Sequence, residues 1–224
     1  MTGVQTCALP IYAYGVSINE YLVAVYVWSV YTECMHGMPS ERPVRVAVPV
    51  NLRPYFNSIT TKNFFVMVSA EFHPTKEIYT FEEVLKSVSE SLRSQISREN
   101  LEKLFSYNVS NEKLLAARIV PLFLKNLAMR YVYTTSALAN TATVTNIGNI
   151  SVSEEYRPYV EMFHAFLAMS KGQHLKGTIC SYGDTLVFSF SYDLTDTSVQ
   201  RGFFRKIAAD GIAVEIETNG VNYE

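Results

Sequence analysis

Chemistry in this 224-residue chain would have to come from four histidines, a few thiols and two clusters of amide and hydroxyl side chains. General base catalysis needs an imidazole or carboxylate held within hydrogen-bond reach of the proton it removes. His36 lies in a Gly/Pro loop, His73 precedes Pro74, and His174 sits near a turn between Gly172 and Gly177. Only His164, flanked by Phe163 and Phe166, falls in a segment that reads as a strand, and a lone histidine there is more often a core or interface residue than a base. There is no Gly-x-Ser-x-Gly elbow, Walker loop or Gly-x-Gly-x-x-Gly. Cys34 and Cys180 form neither a CxxC nor a zinc-type spacing, so no metal is expected. Asn146-Ile-Gly-Asn149 reads either as a turn after a strand or as a binding segment. Asp193, at the end of the alternating run Phe188-Ser-Phe-Ser-Tyr-Asp193, reads as tying down the turn before the last helix. Asn51 and Arg53 read as ties between a strand exit and the next element, with Arg53 structurally paired.

The elements that must position these residues are legible from capping and periodicity. Ser17 and Glu20 form a capping box opening a helix to about Met35, apolar on nearly every face and therefore buried. Residues 44–50 alternate as a strand, and residues 63–72 form a second. Thr80 and Glu83 open another helix, with Phe81, Val84, Leu85, Val88, Leu92 and Ile96 on one stripe facing a sheet. Residues 111–133 read as a strongly apolar helix (Leu114, Leu115, Ile119, Leu122, Phe123, Leu127), which Pro121 should kink or split and which needs a partner surface. Residues 141–147, 159–169, 177–182 and 185–193 read as strands, the last two joined by a two-residue Gly183-Asp184 hairpin turn. Thr197 is expected to cap a final helix with Val199, Phe203, Ile207 and Ile212 inward, ending near Asn219 and Gly220. The order predicts an α/β (α+β) fold: a mixed β-sheet flanked by helices.

A hydrophobic content of 48%, 18% charged residues and a net charge of −2 describe a core-forming chain without the basic stripe of a nucleic-acid binder. The longest apolar run, Tyr21 to Tyr31, is too short to span a bilayer. Two native thiols suit a reducing cytoplasm. Residues 1–11, Met1-Thr-Gly-Val-Gln-Thr-Cys-Ala-Leu-Pro-Ile11, match the translation of a widely used sequencing-library adapter. Cys7 then belongs to the adapter, and genuine sequence is expected from Tyr12 onward, with an upstream part of the parent missing. A signal peptide is disfavoured by the lack of Lys or Arg before the short apolar stretch.

Three segments in order, Arg45-Val-Ala-Val-Pro-Val-Asn-Leu-Arg53 followed by Lys62-Asn-Phe-Phe65, then Val144-Thr-Asn-Ile-Gly-Asn149, then Phe188 to Asp193 with the following helix, resemble the C-terminal half of a chloramphenicol-acetyltransferase-like acyltransferase. That superfamily includes alcohol acetyltransferases, wax-ester synthases and peptide-synthetase condensation domains. The resemblance covers residues 15–221 and implies one lobe of a two-lobed, CoA-dependent fold, with a substrate tunnel between the lobes. The family's His-His-x-x-x-Asp-Gly motif supplies the catalytic base from the N-terminal half. No His-x-x-x-Asp occurs here, and His73-x-x-x-Glu77 sits at a strand exit in the wrong lobe. The resemblance therefore implies no catalytic residue in this chain. It implies an acyl-CoA or phosphopantetheine thioester as co-substrate, no permanently bound cofactor, and an alcohol or amine acceptor. By position it places Asn146, Gly148 and Asn149 on the tunnel and Ser189, Ser191 and Asp193 near the donor, with Asn51, Arg53 and Asn63 structural. The plant-type Asp-Phe-Gly-Trp-Gly signature is absent. A non-catalytic condensation-like interaction module is the alternative reading.

Overall fold

The computed structural model describes residues 11–113, 120–170 and 172–219. Residues 1–10 of the adapter match, and Leu114, Leu115 and Ile119 of the apolar helix, lie outside this set. Helix α1 (Ile18–Ser29) starts at the expected capping box: Ser17 Oγ accepts from Glu20 N–H at 3.2 Å and Glu20 Oε2 accepts from Ser17 N–H at 2.7 Å. It continues as a π-helical turn, Val30–Cys34. Strand β1 (Val44–Asn51) follows, then the short helix α2 (Arg53–Phe56), strand β2 (Phe65–Phe72), helix α3 (Phe81–Gln95), helix α4 (Arg98–Lys113) and helix α5 (Leu122–Leu138). Strands β3 (Ala142–Asn149), β4 (Leu175–Tyr182) and β5 (Thr185–Tyr192) and helix α6 (Ser198–Ala209) complete the described chain.

The strands form one mixed sheet in the order β2-β1-β3-β4-β5, parallel between β1 and β3 and between β3 and β4, antiparallel at both edges. Strand alternation gives the sheet two faces of different chemistry. Val46, Val48, Val68, Ala70, Val144, Ile179, Phe188 and Phe190 form the inner face, against α1, α3 and α6. Phe203 of α6 packs on Phe188 and Phe190, and Tyr26 of α1 stacks on Phe190. Tyr21 through Val27 are buried, as expected of a helix apolar on every side. Tyr21 also donates its hydroxyl to Asp210 Oδ2 at 2.6 Å, tying the start of α1 to the end of α6.

The β2 edge is closed by side chains of α3 rather than by another strand. Gln95 Oε1 accepts from Ser69 N–H at 3.1 Å and its Nε2 donates to Ser69 O at 2.8 Å. Ser91 Oγ accepts from Glu71 N–H and donates to Ser69 O, and Ser87 Oγ donates to Glu71 O. Ser87, Ser91 and Gln95 recur every four residues, so one helix face supplies the partners a sixth strand would have offered.

Three expectations are corrected. Residues 159–169 form no strand. Tyr159 ends a short 3-10 turn, and residues 160–169 show half-buried alternation but pair with no neighbouring strand, since period two alone does not supply a ladder. The last helix stops at Ala209, where Gly211 takes φ +82°, rather than near Asn219 and Gly220. Its first turn is held by Asp196, which accepts from Ser198 N–H at 2.9 Å, and not by the Thr197 side chain. The helix expected to open at residue 111 lies, among the described residues, on the end of α4, which begins at Arg98, and on α5, and the break expected at Pro121 holds. Pro121 stands just before α5, its carbonyl accepting from Leu124 and Lys125 N–H.

Candidate functional site

Because β1, β3 and β4 run parallel, their carboxyl ends lie together, the end at which open sheets of this kind place ligands. Asn51, Asn146, Gly148 and Asn149 all stand there, and Asn51, Asn146 and Asn149 are exposed. The Asn146-Ile-Gly-Asn149 segment is the end of β3, not a turn beyond it. A register shift between Asn146 and Gly148 marks a bulge in which Gly148 takes φ +83° and donates its N–H to Asn146 Oδ1 at 2.8 Å. The bulge leaves Ile147 unpaired and exposed, and pairing resumes at Gly148 opposite Cys180 and Asn149 opposite Ser181. Arg53 closes the loop beside this end: its Nε donates to Thr60 O at 2.9 Å, its Nη2 to Lys62 O at 2.7 Å and its Nη1 to Asn51 Oδ1 at 3.2 Å. Asn51 Oδ1 also accepts from Arg53 N–H at 3.1 Å. Asn63 is exposed in the same loop.

Ser189, Ser191 and Asp193 belong to the outer face. The antiparallel register sets Ser189 opposite Thr178 and Ser191 opposite Lys176, with Thr143 of β3 beside Lys176. A segment without regular structure, residues 161–170, crosses this face. Cys180 Sγ donates to Phe163 O at 3.1 Å, and Lys176 Nζ donates to Ala168 O at 2.7 Å and Ser170 Oγ at 2.5 Å. Under this strap Thr178 is 2% exposed, and Ser189 and Lys176 are each 7% exposed. Lys176 has no carboxylate within ion-pair distance among the described residues, so its charge is met by a carbonyl and a hydroxyl alone. Burial pushes the Cys180 thiol above its ordinary value, which keeps it an unreactive donor.

Asp193 does not tie down the turn before α6. Its Oδ1 lies 2.9 Å from His174 Nδ1 and its N–H donates to His174 O, both side chains being exposed. This pair stands at the amino end of β4. Asp193 lies six positions along the chain from Val187, the partner of Cys180 next to the β3 bulge, so the two ends are about 20 Å apart. Asn146, Gly148 and Asn149, expected on the tunnel, stand together at the carboxyl end, while the three residues expected near the donor divide into the buried Ser189 with the half-buried Ser191 and a carboxylate, Asp193, at the far end. His164 is not held in a strand; its Nε2 faces Glu217 at 3.5 Å.

Lys176 was not singled out by sequence, although the two-residue hairpin turn already implies its pairing with Ser191. The exposed amides at the carboxyl end can orient and hydrogen-bond a polar substrate, whereas the Lys176 ammonium and the Ser189 hydroxyl are taken up beneath the strap. Among the described residues no cluster of three potential metal ligands occurs, and no helix is long and apolar enough to cross a membrane.

No protein-family model matches the chain, and no curated protein sequence matches it. Solved structures do. The nonribosomal peptide synthetase FmoA3 aligns with a TM-score of 0.58 and 17% identity over 94% of this chain and 21% of its own. The wax ester synthase/diacylglycerol acyltransferase from Marinobacter aquaeolei VT8 aligns with a TM-score of 0.50 and 14% identity over 93% of this chain and 47% of its own. The epimerization domain from the third module of tyrocidine synthetase B aligns with a TM-score of 0.51 and 12% identity, over 89% and 43%. The chain spans less than half the length of these structures. Over that length it shares the mixed-sheet fold of the matching part of these synthase, synthetase and epimerization-domain structures.

Proposed function

We propose that this chain is the C-terminal lobe of an acyltransferase that moves an acyl group from a coenzyme A or carrier-protein thioester to an alcohol or amine. The observation that carries the reading is the fold likeness, which runs through nearly all of this chain but through only part of each synthase or synthetase. In this reading the catalytic base is supplied by an upstream lobe and this chain alone is inactive, the setting being cytoplasmic. The Asn146 to Asn149 bulge faces the lobe junction, where its exposed amides hydrogen-bond the substrates or the developing oxyanion. Ser189 lies too deep beneath the strap to touch a substrate unless the strap moves, Ser191 is half-buried beside it, and Asp193 serves with His174 to close the hairpin end.

Recovering the reading frame upstream of Tyr12 and expressing the two parts together is the direct experiment. The pair is expected to transfer acyl groups from acyl-CoA or an acylated carrier, and residues 12–224 alone to show none. Transfer by residues 12–224 alone would overturn the division of labour. An upstream part without an intact His-His-x-x-x-Asp-Gly would instead favour the non-catalytic interaction module.

A further inference from the structure

The strap across the outer face covers groups that a sheet does not ordinarily keep dry. Under and beside it, β4 and β5 present Lys176, Thr178, Cys180, Ser189 and Ser191, whereas their inner face carries Gly177, Ile179, Phe188 and Phe190. Burying an ammonium and hydroxyls costs free energy unless each finds a partner, and the strap brings few. Among the described residues, no backbone hydrogen bond joins residues 161–169 to any strand. Side chains of β4 hold the strap instead: Cys180 on the carbonyl of Phe163, and Lys176 on the carbonyl of Ala168 and the hydroxyl of Ser170. Its own apolar groups add little, since Phe163, Ala165 and Leu167 are only half-buried and Phe166 is exposed. A turn stands at each end: the 3-10 turn Arg157–Tyr159, and the Ser170 to Gln173 turn, in which Gly172 takes φ +86°.

We infer that residues 161–170 are a flap that swings off the sheet between these two turns while the sheet stays folded, and that Lys176 holds it shut. The free energy of a local opening rises with the buried apolar contacts and backbone bonds it breaks, and here both are few. Lys176 dominates the closure because hydrogen bonds from an ionised donor are about twice as strong as neutral ones, whereas a thiol is a weak donor. The other ties are slight: His164 Nε2 lies 3.5 Å from Glu217 with both side chains open to solvent, and Phe163 meets Tyr182 edge-on. Water can replace both acceptors of Lys176 when the flap lifts, so opening strands no charge. The flap thus decides whether the donors of Lys176, Thr178 and Ser189 meet solvent. The inference does not depend on the acyl-transfer reading, because opening requires only the strap and the sheet beneath it.

Cys180 reports the opening, being 1% exposed and bonded to the strap. In the full chain, methyl methanethiosulfonate should modify Cys180, read by peptide mass spectrometry, at a rate that hardly changes at low denaturant, well before cooperative unfolding. Exposed Cys34 supplies the reference rate. Lys176→Ala should speed modification of Cys180 by about 10-fold or more, beyond any change in global stability. Ser170→Ala removes one of the two acceptors, should speed it by about 3-fold, and carries the test where Lys176→Ala does not fold. Two results would overturn the inference: modification of Cys180 that tracks global unfolding at every denaturant concentration, or modification at the native rate in the folded variants.

Discussion

Arg93 of α3 grips Glu20 of α1, Nε to Oε1 at 2.6 Å and Nη2 to Oε2 at 3.2 Å, while the same carboxylate closes the Ser17 capping box. One acid thus satisfies a helix terminus and joins two helices of the inner layer. Burial pushes the Glu20 carboxyl up, but its bonds from Arg93 and Ser17 outweigh this and hold it below the ordinary glutamate value. A lowered carboxyl stabilises the fold above its unfolded pKa, and that contribution is lost as pH falls through the folded one. Glu20→Ala should cost about 1–2 kcal/mol near neutral pH through the cap alone. Glu20→Gln, which can keep the cap but not the charge, should fall between. In chemical denaturation the gap between the native chain and Glu20→Gln should narrow as pH drops through the acid range. A constant gap would show that the charge contributes nothing.

Gly177 is required by close packing rather than by a turn. A Cβ there would lie 2.6 Å from Phe188 Cζ and 3.2 Å from Val144 Cγ2, inside the aromatic cluster with Phe190 and Phe203. Gly177→Ala is expected to destabilise by about 1–3 kcal/mol. Adding Phe188→Leu should restore part of the loss, so a double-mutant cycle should give a favourable coupling. Additive effects would place the strain elsewhere.

Gln95→Ala leaves Ser69 N–H without its acceptor and removes one donor from Ser69 O. The expected cost is about 1–3 kcal/mol. With Ser91→Ala as well, the β2 edge should become a template for intermolecular pairing, visible as concentration-dependent oligomers in light scattering. A monomeric double variant would mean that the edge is guarded by other means.

The inner face was legible because capping boxes and apolar periodicity are local signals: Ser17 with Glu20, Thr80 with Glu83, and the alternating Val46 and Val48 all hold in the structure. The Gly183-Asp184 turn was equally readable. Residues 159–169 were not, because strand formation requires a partner that alternation cannot supply, and Phe163 and Ala168 instead meet β4 through Cys180 and Lys176. The apolar excess of residues 111–133 stays exposed on the described part of α5, whereas α3 and α6 cover Leu22 and its neighbours, as a helix apolar on nearly every face requires. The separation of Asp193 from Asn146 was hidden for a different reason. Adjacent strands place sequence-distant residues side by side, but only the direction of each strand decides which end they reach.

The β3 bulge offers the sharpest test of the proposed site. Gly148 sits at φ +83°, and a Cβ added there would meet nothing within 4 Å, so Gly148→Ala strains the backbone without a clash. The stability cost should be about 1 kcal/mol. Asn146→Ala removes the acceptor of the Gly148 N–H at an exposed position and should cost less. If the bulge orients a substrate or an oxyanion, both variants in the intact two-lobed protein should lower kcat/KM by about 10-fold or more, far beyond their effect on stability. Asp193→Ala, about 20 Å away at the other end of β5, should alter stability without comparable loss of transfer. Equal losses at Asn146 and Asp193 would mean that activity follows stability, and the carboxyl-end amides would have no special part in binding.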